Sequence, residues 1–72
     1  MAEALTNGIK AAREARGWTQ ADLAERVGVT RKTINTVENN VFVPSTIVAL
    51  KIARAFGTSV EALFALDGDR QD

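Results

Sequence analysis

The sequence predicts an all-α fold of five short helices. Apolar residues recur every three or four positions along most of the 72 residues, and no segment has the strict alternation of apolar and polar residues that marks a half-buried strand. Residues typical of helix starts and helix ends recur at intervals that fit short helices. A hydrophobic fraction of 46% supports a packed core, and the lack of cysteine excludes disulfides and thiolate metal sites.

The first helix is predicted at residues 5–16. Leu5, Ile9 and Ala12 fall at positions i, i+4 and i+7, which places them on one face of a helix. Gly17 follows as the stop, because glycine readily adopts the left-handed conformation that ends many helices.

The second helix, predicted at residues 20–27, has the most complete start signal in the chain. Thr19 is placed to cap the helix, and Asp22 stands at the reciprocal position of a capping box. Trp18 and Leu23 stand at the two positions of a hydrophobic staple.

The third helix is predicted at residues 31–38, after a three-residue joint that begins with Gly28 and ends with the cap Thr30. A joint of this length with a glycine is typical of two helices that meet at roughly 90–120°. Ile34 and Val37 are the only large apolar residues placed to face inward, so most of this helix is expected to face outward.

The fourth helix is predicted at residues 46–56 and the fifth at residues 60–66. Ser45 and Ser59 are the caps, and Gly57 ends the fourth helix. The main apolar stripe of the fourth helix is expected to consist of Val48, Ala49, Ile52, Ala53 and Phe56.

Two cations stand at the start of the third helix, Arg31 and Lys32. The N-terminal end of a helix carries the positive pole of the backbone dipole, so each cation there costs roughly 0.3–1 kcal/mol at a surface site. A sequence with this placement either tolerates the cost or has an anion to meet at the helix start.

Charge is distributed unevenly although the net charge is zero. Residues 9–40 and 41–56 each carry +2, whereas residues 1–8 carry −1 and residues 57–72 carry −3. The chain is therefore a weakly basic body with an acidic end, and any nucleic-acid binding must depend on a local basic patch.

Composition argues against an enzyme. The chain has no His, Cys or Tyr, so it lacks the usual nucleophiles, general bases and metal ligands, and we expect no cofactor and no metal. It has neither a run long enough for a membrane span nor the N-terminal pattern of a secretory signal, which predicts a cytoplasmic protein without membrane or small-molecule substrate partners.

The segment GWTQADLAERVGVTRKTINTVENN, followed by PS, ALKIARAFG and LF, resembles the lambda-repressor and Cro type (XRE family) of helix-turn-helix regulators, in particular its short stand-alone members. The resemblance covers about residues 9–64. It implies one five-helix DNA-binding domain at residues 1–66, with helices two and three as the helix-turn-helix, followed by a polar acidic tail at residues 67–72. It also implies a sequence-specific transcriptional regulator whose partner is double-stranded DNA, and we expect this regulator to be a repressor.

The resemblance assigns roles to individual residues. It places Arg31, Lys32, Asn35 and Thr36 against base edges, and Gln20, Thr30 and Asn39 against phosphates. Arginine and lysine suit the two acceptors of guanine in the major groove, while asparagine typically reads adenine. Arg13 and Glu38 match an ion pair that joins the first helix to the third.

The segment ENNVFVPST departs from the family pattern. Asn40 stands where glycine is usual, which is acceptable because asparagine tolerates the left-handed conformation. Val41 stands where a basic residue is common, and an apolar run results. We expect this run to contribute to a homodimer that binds a palindromic operator with half-sites about one helical turn apart. The dimer candidates are Val41, Phe42, Val43 and Ile47.

Two other functions remain open from the sequence. One is an antitoxin, in which the same fold binds its own operator while another surface holds a toxin. The other is a protein-binding helical module without a DNA role, which a neutral surface around Arg31 would favour.

Overall fold

Five helices and a two-stranded sheet make up the computed structural model, which describes residues 4–67. The elements in chain order are β1 (Leu5–Asn7), α1 (Ile9–Ala15), α2 (Gln20–Val27), α3 (Arg31–Glu38), α4 (Thr46–Phe56), α5 (Val60–Leu63) and β2 (Phe64–Leu66). The predicted bounds of α2, α3 and α4 are confirmed. The mostly helical class is also confirmed, with the small sheet as an addition.

The ends of the predicted first and fifth helices were wrong, because both contribute to this sheet. Residues 5–7 form β1, and residues 64–66 form β2, paired antiparallel with Leu5 opposite Leu66 and Asn7 opposite Phe64. The spacing of Leu5 and Ile9 fits one face of a helix, but Leu5 lies in β1 and Ile9 in α1, and both pack in the same core. The spacing therefore predicted a single longer helix. Pairing between segments almost sixty residues apart leaves no local signal.

Backbone hydrogen bonds extend this pairing beyond both ends of the two strands. The Gly8 N–H donates to the Leu63 carbonyl at 2.9 Å, and the Asp67 N–H donates to the Ala4 carbonyl at 2.7 Å. The two ends of the described chain are therefore joined. The rest of the predicted acidic tail, residues 68–72, lies outside the described residues.

Side-chain caps begin four of the helices, as the sequence predicts. The hydroxyls of Thr19, Thr30, Ser45 and Ser59 each accept a hydrogen bond from a backbone N–H of the first turn. The Asp22 carboxylate also accepts the Thr19 N–H at 2.9 Å, which completes the capping box. These bonds with Thr19 hold the pKa of Asp22 below its ordinary value.

The core lies where the five helices meet. Its largest fully buried side chains are Ile9, Leu23, Ile34, Val37 and Ile52. Within α3 the buried residues are Ile34 and Val37, as predicted, so the opposite side of this helix is free of core packing. None of the helices described within residues 4–67 is long and apolar enough to cross a membrane.

Trp18 adds an aromatic contact at the edge of the core. Its ring stacks on Phe56 with 5.4 Å between the centroids and 19° between the planes. The Arg26 guanidinium lies 4.3 Å from the Trp18 ring centroid. Trp18 therefore ties the start of α2 to the end of α4, and part of its surface is covered by a cation.

Candidate nucleic-acid interface

A three-residue turn separates α2 from α3. Gly28 has φ 86° and ψ 34°, the left-handed conformation in which a side chain would be strained. The N–H groups of Gly28 and Val29 both donate to the Ala24 carbonyl, at 2.8 and 3.0 Å. This pattern closes α2 and lets the extended Thr30 start α3 at once, which is the geometry of a helix-turn-helix.

The outward side of α3 presents the four residues that the sequence predicts to contact bases. Arg31, Lys32 and Asn35 are exposed, and Thr36 is half-buried. At 3.6 residues per turn these positions lie on one side of the helix, opposite Ile34 and Val37. The fold therefore brings the four polar residues onto a single surface, here called the α3 outer face.

Positive charge gathers at the start of the α3 outer face. Arg31 and Lys32 occupy the first turn of α3, which contains no acidic residue. The unpaired backbone N–H groups of a first turn add partial positive charge. An anion such as a phosphate, or the acceptor edge of a guanine, would therefore find both formal charges and dipoles at this end of the helix.

A chain of amide hydrogen bonds connects Asn35 to the interior. The Asn35 Nδ2 donates to the Gln20 Oε1 at 3.4 Å, and the Gln20 Nε2 donates to the Glu38 Oε1 at 3.1 Å. Gln20, the first residue of α2, therefore lies against α3. This contact restricts the rotamers of Asn35 and brings a predicted phosphate-contacting residue next to a predicted base-contacting one.

Arg13 and Glu38 form a bidentate ion pair between α1 and α3. The Arg13 Nε lies 2.7 Å from one Glu38 carboxylate oxygen, and Nη2 donates to the other at 3.2 Å. Only 10% of the Arg13 side chain and 2% of the Glu38 side chain are exposed. The Glu38 hydrogen bond raises the pKa of Arg13, and burial opposes this effect only in part.

The third Arg13 contact reaches the loop before α2. Its Nη1 donates to the Trp18 carbonyl at 2.9 Å. Arg13 thus joins α1, the α1–α2 loop and α3, and through Glu38 it also meets Gln20. The arrangement holds the base of the helix-turn-helix to the rest of the chain.

The other two predicted phosphate contacts, Thr30 and Asn39, lie exposed at the two ends of α3. The Thr30 hydroxyl accepts the Thr33 N–H at 3.1 Å, and the Asn39 Nδ2 donates to the Asn35 carbonyl at 2.9 Å. The Thr30 side chain therefore caps the start of α3, and the Asn39 side chain bonds the backbone of its last turn. Their positions flank the α3 outer face.

Large apolar side chains are exposed after α3 and at the start of α4. Val41, Phe42 and Val43 are 77%, 48% and 71% exposed, and Ile47 is 66% exposed. The structure adds Leu50, which the sequence analysis missed although it lies three residues after Ile47 on the same helix. These five exposed residues are together called the apolar patch here, and two of them, Val41 and Phe42, line a surface pocket with Lys32 and Thr36 of the α3 outer face.

Asn7 is a second residue that the sequence analysis missed, because it was placed inside the first helix. In the structure its side chain contacts the C-terminal end of α3. An isolated asparagine before a glycine is a common turn signal, so the sequence offered only a weak hint of this contact. Among residues 4–67, no group of three or more His, Cys, Asp or Glu side chains is arranged to hold a metal ion.

Comparisons with known proteins agree with this geometry. Residues 9–63 match the family model described as helix-turn-helix. A stretch of 62 residues is 50% identical to an uncharacterized HTH-type transcriptional regulator of Methanothermobacter thermautotrophicus, and it covers 85% of this chain and 90% of that protein.

A solved structure and a shorter match extend the comparison. The crystal structure of a candidate DNA-binding protein from Bacteroides fragilis has a TM-score of 0.74 at 26% identity, covering 85% of this chain and 98% of that one. A stretch of 36 residues is 44% identical to the antitoxin HipB of Escherichia coli, covering 50% of this chain and 41% of HipB.

Proposed function

The chain belongs to the XRE type of helix-turn-helix transcriptional regulators, and on that premise we propose that it binds a palindromic operator as a homodimer and represses transcription there. The observation that carries the proposal is the α3 outer face. Two cations and two polar residues share one side of a helix whose other side is buried. A helix of this kind fits the major groove.

Base recognition is proposed to come from the α3 outer face. Arg31 and Lys32 would donate to the O6 and N7 acceptors of guanine, and Asn35 would bond the N6 and N7 of adenine. The contact with Gln20 supports the role of Asn35, since it limits the orientations of the amide before DNA arrives. Thr36 lies one turn further from the helix start and would meet a base or its methyl group.

Phosphate contacts are proposed for the residues that flank this face. Thr30 and Asn39 are exposed at the two ends of α3, and Gln20, which is half-buried, is the first residue of α2. These contacts would fix the orientation of the helix on the duplex. The Thr30 hydroxyl oxygen caps α3 and lies 3.0 Å from the Thr33 hydroxyl; with Thr33 as the donor of that bond, the Thr30 O–H proton would bond a phosphate oxygen.

A homodimer is proposed to form through the apolar patch. Exposing five large apolar side chains has a free-energy cost that a second copy would remove. Replacing Phe42 and Ile47 by serine should convert a dimer into a monomer at tens of micromolar in light scattering.

The test of sequence recognition is a selection from a random duplex pool at about 0.15 M salt, where nonspecific phosphate binding is weakened. Enrichment of a palindrome is the expected result. Arg31→Ala should then cost about 1–3 kcal/mol and relax selectivity at one base pair. Arg54→Ala, which removes an exposed arginine from α4, is the matched control and should leave selectivity unchanged.

Asn39→Ala separates the two proposed kinds of contact. It removes an exposed side chain that makes no bond to the Asn35 side chain, so it should weaken binding to all sequences more evenly than Arg31→Ala does, because phosphates carry no sequence information. Equal losses on selected and random duplexes for Arg31→Ala would contradict the assignment of base reading to α3. Repression itself is tested by placing the selected duplex in a promoter that drives a reporter and expressing the wild-type chain.

A second candidate function is that of an antitoxin, which the match to HipB favours. In that case the α3 outer face would bind the operator and another surface would hold a toxin. A toxin reading frame beside the gene, and a stable complex of the two purified products, would support this function. Growth that is unaffected by expression of the neighbouring reading frame alone would refute it.

A further inference from the structure

Asn7, in β1, makes three side-chain hydrogen bonds, two of which connect the terminal sheet to the end of α3. Its Nδ2 donates to the Val37 carbonyl and to the Asn40 Oδ1, both at 3.0 Å, and its Oδ1 accepts the Ile9 N–H at 3.1 Å. We propose that Asn7 and Asn40 form a clamp that positions α3 for DNA binding. This inference rests on the proposed function, and it makes Asn7 a positioning residue that itself touches no DNA.

The sheet holds the backbone of Asn7 in place. Asn7 lies opposite Phe64, whose side chain belongs to the core, and the next residue, Gly8, donates its N–H to Leu63 at 2.9 Å. The Asn7 side chain is also fixed in orientation. A backbone N–H faces its oxygen and two carbonyl-type oxygens face its nitrogen, so rotating the amide by 180° would lose all three bonds.

The other half of the clamp lies two residues after the end of α3. Asn40 has φ 59°, a left-handed conformation that glycine adopts at lower cost. Asparagine here supplies what glycine lacks, an acceptor oxygen for Asn7. The Asn40 N–H donates to the Val37 carbonyl at 3.1 Å, so this carbonyl accepts bonds from both members of the clamp. The asparagine that stands here in place of the usual glycine therefore has a hydrogen-bond partner in β1, Asn7.

The clamp and the ion pair hold α3 from two different elements. Arg13 reaches Glu38 from α1, while Asn7 reaches Val37 and Asn40 from β1. Without the clamp, the C-terminal end of α3 would keep one of these two polar attachments. A small change in the tilt of α3 would misalign bidentate base contacts, which need good geometry, more than phosphate contacts made by flexible side chains.

The test compares variants on two duplexes of about 20 bp, one selected as above and one of random sequence. Asn7→Ala removes the whole clamp. Asn40→Gly removes one acceptor but keeps the left-handed backbone. Thr6→Val is the matched control, because it removes a hydrogen bond within the same strand, from Thr6 Oγ1 to the Ala65 carbonyl at 3.2 Å, without touching α3. Thermal unfolding of each variant first defines a temperature at which all of them are folded.

Asn7→Ala should weaken binding to the selected duplex about three- to tenfold, because without its two bonds to α3 a smaller fraction of the protein holds the helix in the orientation that reads bases, while the random duplex changes less than twofold. Asn40→Gly should cause a smaller loss, and the double variant should bind no worse than Asn7→Ala alone. Thr6→Val should keep the wild-type ratio of the two affinities, even where its stability falls.

Two results would overturn the inference, and they are distinguishable. If the wild-type chain prefers the selected duplex and a folded Asn7→Ala variant keeps the same preference, the clamp has no positioning role and the proposed function stands. If Asn7→Ala does not fold, Asn40→Gly decides in the same way. A wild-type chain that binds both duplexes equally refutes the proposed function, and the positioning role with it.

Discussion

Removing one partner of the Arg13–Glu38 ion pair should strongly destabilise the protein, while removing both should not. The single variant that tests this is Arg13→Met, which keeps much of the side-chain length and removes the charge. The Glu38 carboxylate, whose side chain is 2% exposed, would then keep only the Gln20 hydrogen bond at 3.1 Å. One hydrogen bond from a neutral amide does not offset the hydration that a buried carboxylate loses on folding.

The magnitude follows from the contacts that disappear. Arg13→Met removes two charge-assisted bonds, at 2.7 and 3.2 Å, and the bond to the Trp18 carbonyl at 2.9 Å. Breaking a buried ion pair in this way costs about 3–5 kcal/mol. A chain of 72 residues has a total stability of roughly 4–11 kcal/mol, so the variant should be close to unfolding. The double variant Arg13→Met with Glu38→Leu should recover most of this loss.

The assay is denaturant unfolding of the wild type, both single variants and the double variant at pH 7, analysed as a double-mutant cycle. We expect a coupling free energy of about 2 kcal/mol or more between the two positions. Single variants that each lose less than about 1 kcal/mol, or a double variant whose loss equals the sum of the single losses, would show that the pair contributes no more than an exposed ion pair.

The remaining predictions concern the turn and the capping box. The pKa of Asp22 is lowered in the folded state, so the ionised carboxylate stabilises the fold. This stabilisation should be complete above the unfolded pKa of about 3.9 and should be lost as the pH falls through the folded pKa. Asp22→Ala should remove this part of the acid dependence in unfolding curves measured from pH 7 to 2. Gly28→Ala, at φ 86°, should cost about 1–2 kcal/mol, whereas Gly8→Ala, at φ −110°, should cost less than half as much; equal costs would contradict the role assigned to the left-handed turn.

The sequence predicted three helices with their bounds because their signals are local. Thr19, Thr30 and Ser45 bond backbone groups within the next three residues, and Gly28 and Gly57 end helices through their own backbone freedom. The inward positions of α3 were also predictable, since two apolar residues three apart define one side of a helix. From this it followed that Arg31, Lys32 and Asn35 would face outward.

The sheet could not be predicted in the same way. Three-residue strands carry too little alternation to be recognised, and the apolar spacing around Leu5 fits a helix as well as it fits the observed strand. What decides between the two is the partner strand Phe64–Leu66 at the other end of the described chain. The same limitation hid the role of Asn7, which depends on that pairing.

By itself, the sequence determined the helix-turn-helix and its outward polar face, because caps, glycine stops and apolar spacing act within one or two turns of chain. Apart from the Arg13–Glu38 ion pair, which the family resemblance implied, only the tertiary structure decided how this unit is held. The contacts of Arg13 with Glu38, Gln20 with Asn35, and Asn7 with Asn40 join residues 15 to 33 positions apart. Their hydrogen bonds exist only once packing has brought the elements together, so no local pattern records them.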